Sequence, residues 1–131
     1  MNQLSLSPGG PPPPSDLPAV VAAILPAARS TVVSARVVRG YWGVGLGPKR
    51  RWVLTGDCCC ALSAYLIAQE AVAYPNENSP RATVMRLLGI TGEQLDSFIH
   101  GFDSHWWYAE DDPDPEWYGY GERVAKEVVA R

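Results

Sequence analysis

Six residues in the chain could together do chemistry: Cys58, Cys59, Cys60, His100, Asp103 and His105. A cysteine in the first turn of a helix has its thiolate favoured by the helix dipole. A histidine beside it can act as base, and a carboxylate can orient that histidine. The same groups could instead hold zinc through two sulfurs and two ring nitrogens. These are the chemistries of a cysteine/histidine-dependent enzyme or a zinc-binding protein, with Cys58 and Cys59 as the reactive thiols. Against this stands the spacing. Consecutive cysteines on a helix point about 100° apart, so they cannot all face one point, nor pair with each other without strain. Buried free cysteines also behave as small hydrophobes. The pattern therefore favours Cys60 and one neighbour as core residues and calls for no metal or cofactor.

A second group is aromatic and acidic. Trp106, Trp107, Tyr108, Trp117, Tyr118 and Tyr120 surround the acidic run that includes Asp111 and Asp112. In an extended segment Trp106 and Trp107 point to opposite faces, so one of them stays exposed. An exposed tryptophan among carboxylates suits a binding surface for a cationic or amphipathic partner. The expected partner-binding set is Trp106, Trp107, Tyr108, Asp111, Asp112 and Trp117. The acidic run lacks the spaced oxygen ligands and the loop glycine of a calcium-binding EF-hand.

The element expected to carry the cysteines is a helix from Asp57 to Tyr74. Cys60, Ala64, Ile67, Ala71 and Tyr74 recur at spacings of four and three, which puts them on one face. Leu62, Leu66 and Ala73 widen that face until most of the circumference is apolar, as in an enclosed helix. Asp57 supplies an N-cap, and Pro75 a stop. Gln69, Glu70 and the alanine content argue against a membrane span.

Before this helix, Asp16-Leu17-Pro18 opens a first helix whose apolar face is Val20, Val21, Ile24 and Leu25. Pro26 marks its end or a kink. Thr31 to Arg39 is rich in β-branched residues and predicts a strand. Gly40, Gly43, Gly45 and Gly47 alternate with large residues in a second extended segment. They match neither a dinucleotide fingerprint nor a phosphate loop. Gly47-Pro48-Lys49 predicts a turn and Arg50 to Thr55 a returning strand.

After it, Ser79-Pro80 caps a short helix with Val84, Leu87 and Leu88 inward, closed by Gly89. Thr91 and Gln94 form a capping box. The helix they open carries Leu95, Phe98, Ile99 and Phe102 on one face. Its outer face is too acidic for a DNA groove. Asp114-Pro115-Glu116 starts a last helix with Trp117, Tyr120, Val124 and Val128 inward, weakened early by Gly119 and Gly121. The result is an α+β fold: a small antiparallel sheet of two or three strands with about five helices around a buried central helix.

Length and charge set the outer bounds. The chain has 131 residues and a net charge of −3. Residues 1–14 form a proline-rich arm, with Pro11 to Pro14 consecutive, and residues 15–131 one globular domain. Such an arm favours extended polyproline conformation and can dock on an aromatic groove. Residues 1–60 carry six Lys/Arg against two Asp/Glu, a charge of +4; the remainder carry five against twelve, a charge of −7. This asymmetry can favour self-association or a charged partner, and no broad basic patch invites nucleic acid. Three cysteines without distant mates fit a reducing, cytoplasmic setting, and no signal peptide is visible. Trp52 followed by Cys60-Ala61-Leu62-Ser63-Ala64 resembles small bacterial and phage proteins of no established activity, which more often carry glycine at the position of Ser63. The resemblance implies no site. Taken together, the residues point to a non-enzymatic binding or assembly module with a protein partner or a second copy, no nucleic acid and no membrane, using the acidic tryptophan-rich tail and the proline-rich arm.

Overall fold

The computed structural model describes residues 18–30, 33–103 and 114–129. Five helices and two small strand pairs make an α+β fold. In chain order they are α1 (Ala19–Ala28), β1 (Arg36–Val37), β2 (Val44–Leu46), a 3-10 turn (Pro48–Arg50), β3 (Trp52–Leu54), β4 (Cys58–Cys59), α2 (Ala61–Ala68), α3 (Pro80–Leu88), α4 (Gly92–Phe102) and α5 (Pro115–Val128). The proline-rich arm, most of the expected Trp/Asp surface and His105 lie outside the described residues.

β2 and β3 form the expected antiparallel hairpin, with Gly45 opposite Val53 and Leu46 opposite Trp52. Residues 71–73 run along its free edge: Trp52 donates to the Ala71 carbonyl and Ala73 to that of Arg50. The second pair is parallel, which the sequence did not suggest. β1 lies beside β4 with Arg36 opposite Cys58 and Val37 opposite Cys59. A parallel pair needs a long connection, and here the whole hairpin supplies it.

The cysteine stretch departs most from expectation. Cys58 and Cys59 are strand residues, and α2 begins only at Ala61, with Cys60 as its N-cap. Asp57 caps nothing; its carbonyl accepts from Arg36 instead. The helix then ends six residues before Tyr74. Its last turn closes with Ala71 donating to the Leu66 carbonyl and Glu70 to that of Ile67. This is a Schellman motif whose left-handed position is occupied by Glu70 at φ 51°, where glycine is usual. What the spacing predicted well is the burial. Ala61 to Leu66 are all buried, on every side of the helix. Ser63, a polar residue, is buried too, with its hydroxyl 3.5 Å from the Cys60 sulfur.

The local caps form as written in the sequence. The Ser79 hydroxyl accepts from Ala82, Thr91 and Gln94 exchange both capping-box bonds, and Asp114 accepts from the Trp117 amide at 3.2 Å. The face that α5 buries is shifted, however. Tyr118, Gly121, Val124 and Ala125 are buried, whereas Trp117, Tyr120 and Val128 are half-buried. The cause is a close crossing with α4. A Cβ on Gly101 would fall on the Tyr118 carbonyl, and one on Gly121 on the Phe98 carbonyl. Backbone packs on backbone there, so small residues must face α4. The large rings of Trp117 and Tyr120 turn aside, toward α1 and α3.

A polar network also lies within the fold. Glu77, only 6 % exposed, takes a forked pair of bonds from Arg86 at 2.7 and 3.0 Å. It accepts further bonds from the Thr83 hydroxyl and the Tyr74 amide. Thr83 in turn accepts from the Trp52 indole at 2.9 Å. The Arg86 guanidinium also stacks 3.6 Å from the centre of the Tyr74 ring. Arg50 reaches the same loop, donating to the carbonyls of Tyr74 and Glu77. Both carboxylate oxygens of the buried Glu77 thus have hydrogen-bond donors, as buried polar atoms usually do.

Candidate functional site

The turned-aside rings of α5 help to define an open groove of about 570 Å³. Three helix ends build it. Pro18 and the first turns of α1 form one wall. The C-terminal end of α3, with Leu87 and Leu88, continues through Gly89 to Ile90 and forms another. The third is the first turn of α5, with Glu116, Trp117 and Tyr120. Tyr65, from the buried helix α2, lines the groove between them.

Each wall has a local cause. Pro18 holds φ −58° and ψ 146° as the N-cap of α1, an extended geometry outside the helix. Gly89 takes the left-handed conformation (φ 65°, ψ 40°) that ends α3, and Ile90 folds back to donate to the Met85 carbonyl. Leu87, expected inward, is 37 % exposed, leaving an apolar rim. Trp117 and Tyr120 meet edge to face, with ring centres 5.2 Å apart, a favoured aromatic arrangement.

Polar groups share the groove with its apolar walls. Tyr65 is 8 % exposed, and burial pushes its phenol above the usual value. Its hydroxyl has no hydrogen-bond partner among the described residues, nor does the Trp117 indole N–H. The Tyr120 phenol is also pushed up, by burial first and then by its hydrogen bond with the Glu116 carboxylate. Among the described residues the groove therefore offers two unused donors between aromatic and aliphatic walls, with Glu116 beside them. Such an arrangement suits an occupant with apolar surface and bare carbonyl oxygens.

The candidate catalytic set is brought together only in part. Cys60 and Asp103 line a small separate cavity of about 100 Å³ beneath Trp42 and Phe102. There burial pushes the Cys60 thiol up, the Ser63 hydrogen bond opposes this, and the field of Asp103 adds to the rise. Asp103 itself accepts from the Gly40 amide at 2.8 Å, so it anchors the loop after β1. His100 is half-buried on α4. Cys59 is fully buried, and its thiol is pushed up to about 11, by burial first and by its cysteine neighbours second. Cys58 is half-exposed, accepts from Arg36 at 3.7 Å, and lies 3.6 Å from an Asp57 carboxylate oxygen. Both residues lie in a strand, before the first turn of α2. Among the described residues no cluster of three or more His, Cys, Asp or Glu could hold a metal ion. Titration of the native protein with a thiol reagent is expected to modify Cys58 alone, all three thiols reacting only in denaturant. Rapid reaction of a second thiol in the native state would contradict this packing.

Of the expected partner-binding residues, Trp117 is described, and it lines the groove. Trp106, Trp107, Tyr108, Asp111 and Asp112 lie outside the described residues. Tyr65 was hidden by its position in an all-apolar helix. Its phenol was the one available signal, since a buried tyrosine hydroxyl ordinarily has a partner. No described helix is long and apolar enough to cross a membrane. No protein-family model matches the chain, and neither does any curated protein or solved structure.

Proposed function

We propose that the protein is a non-enzymatic binding or assembly module that takes an extended, proline-containing segment in the groove between α1, α3 and α5. The observation that carries this reading is a pair of donors without a partner among the described residues, the Tyr65 hydroxyl and the Trp117 indole N–H, in a concave surface with aromatic and aliphatic walls. A segment in polyproline conformation makes no internal hydrogen bonds, so its carbonyls are free to accept. Its proline rings supply flat apolar faces for aromatic side chains, and little entropy is lost because the conformation is pre-set. Trp117 is the expected anchor, with Tyr65 and Tyr120 beside it. Glu116 at the rim suits a basic residue flanking the prolines.

The test is a titration with decaproline followed by amide and indole NMR shifts. It is run on the full chain and on a form in which Pro11 to Pro14 are replaced by serine. Shifts are expected at the Trp117 indole and around Tyr65 and Tyr120. Trp117→Ala is expected to weaken binding by about tenfold or more, as for a buried aromatic anchor. Absence of groove shifts in both forms at millimolar peptide would sink the reading.

A further inference from the structure

We infer that the outer edge of β2 is a self-association surface whose occupant is the same edge of a second copy of this chain, paired antiparallel about Gly45. The surface shares no residue with the groove, and the inference does not rest on the groove.

The hairpin register sets which backbone groups point outward. The Gly43 carbonyl accepts from Thr55, and the Gly47 amide donates to the Arg51 carbonyl. Gly45, between them, lies opposite Val53. The glycines therefore take the hydrogen-bonded positions of the ladder. Val44 and Leu46 take the positions between, where N–H and C=O point away from β3. The same alternation shows on β3, where the Trp52 amide turns away from β2 to the Ala71 carbonyl. Among the described residues the Val44 and Leu46 backbone groups have no partner.

The strip made by β2, β3 and residues 71–73 has two edges, and they differ. On the 71–73 side the outward residue is Val72, which lies opposite Arg51. Its carbonyl takes a bond from the Arg86 guanidinium at 2.8 Å. The next outward amide, that of Tyr74, donates to the Glu77 carboxylate at 2.9 Å. Side chains thus close that edge. On the β2 side the chain carries no charged residue from Gly40 to Pro48, and Leu46 is 41 % exposed. Charged side chains, lysine above all, are the usual guard against edge pairing.

The extent of the open edge selects its occupant. At one end a Cβ on Gly43 would fall on the Cys58 carbonyl, so backbone of β4 closes the approach. At the other end Pro48, the next outward residue, has no N–H to offer. One outward residue remains on each side of Gly45. A two-fold axis through Gly45 sets Val44 of one copy opposite Leu46 of the other, and each N–H then meets the other residue's C=O. The Gly45 residues face each other at the closer, non-hydrogen-bonded position, with about 4.5 Å between Cα atoms. Neither places a side chain there. Leu46 gains apolar cover from Val44 of the second copy. The edge is thus its own complement in register, in backbone polarity and in side-chain size. So short an edge gives a weak dimer, with a dissociation constant on the order of 0.1 mM.

The experiment is amide hydrogen exchange on the full chain at about 0.05 and about 1 mM, on either side of that constant, with light scattering at both concentrations. The mass is expected to rise toward that of a dimer. Exchange at the Val44 and Leu46 amides is expected to slow several-fold at the higher concentration, whereas Gly45, bonded within the hairpin, serves as the internal reference. Leu46→Lys, a change at an exposed position, is expected to weaken the dimer by about tenfold or more. It should also remove the concentration dependence at Val44 while leaving Gly45 protected. Exchange at Val44 and Leu46 that is equal at the two concentrations would overturn the inference, whether or not the variant folds. So would a folded Leu46→Lys protein that remains as dimeric as the parent. Decaproline shifts at Trp117 report on the groove alone, so either reading can fail without the other.

Discussion

Gly121→Ala is expected to destabilise the protein by about 2–4 kcal/mol, although alanine is the better helix former by about 1 kcal/mol. The new methyl would fall on the Phe98 carbonyl, with the Phe102 amide nitrogen 2.7 Å away. Neither is the tip of a flexible side chain. Both belong to the backbone of α4, so the helices would have to separate. Gly101→Ala meets the Tyr118 backbone in the same way and is expected to cost a similar amount. Gly119, in the same helix as Gly121, provides the contrast. Nothing lies within 4 Å of a Cβ built there, so Gly119→Ala is expected to stabilise by about 0.5–1 kcal/mol. Urea unfolding of the three variants checks all of this. A Gly121→Ala midpoint equal to that of the parent would mean that the crossing is looser than described. Because the crossing also turns Trp117 and Tyr120 into the groove, Gly121→Ala should disturb the site as well as the fold.

Loss of the Glu77 carboxylate is the second large effect. Glu77→Ala is expected to cost about 3 kcal/mol, since it leaves Arg86 and the Thr83 hydroxyl without their shared acceptor. The same group makes stability depend on pH in one direction. The forked hydrogen bonds from Arg86, opposed by burial and aided by the Tyr74 amide and Thr83, lower its pKa from 4.5 to about 2. The folded protein therefore holds the charged form more tightly than the unfolded chain does. That stabilisation is complete above about pH 4.5 and is lost as pH falls from 4.5 toward 2. Glu77→Gln should flatten this part of the stability profile. An unchanged acid limb in Glu77→Gln would show that another carboxylate governs it.

Features set by neighbours in sequence were legible; those set by neighbours in space were not. Ser79, Thr91 with Gln94, and Asp114 cap their helices because a cap needs only residues within a turn. The α4 face of Leu95, Phe98 and Phe102 follows from one period. By contrast, the shifted face of α5 depends on Gly101 in another helix, and period alone cannot reveal a backbone-to-backbone crossing. The β1–β4 pairing is only two residues long and joins segments separated by a complete hairpin. Glu77 looks like any loop carboxylate until Thr83 and Arg86 close around it. At the site, Trp117 stood out by residue type, but Tyr65 and the exposed Leu87 did not: periodicity put Leu87 inward, and Tyr65 belonged to no motif. The helix start lies three residues later than its aspartate suggested, so Cys58 and Cys59 precede the first turn in which the sequence placed them.

The left-handed Glu70 that ends α2 reaches beyond helix anatomy. From Ala61 to Tyr74 the local sequence prefers one continuous helix, and the hairpin edge requires part of it as an extended strip. The two demands meet at a residue whose backbone costs about 1–2 kcal/mol in that conformation. In landscape terms this is a point of frustration, where local preference and the global minimum disagree. The bonds from the Trp52 amide to Ala71 and from the Ala73 amide to Arg50 hold residues 71–73 on the hairpin against that preference.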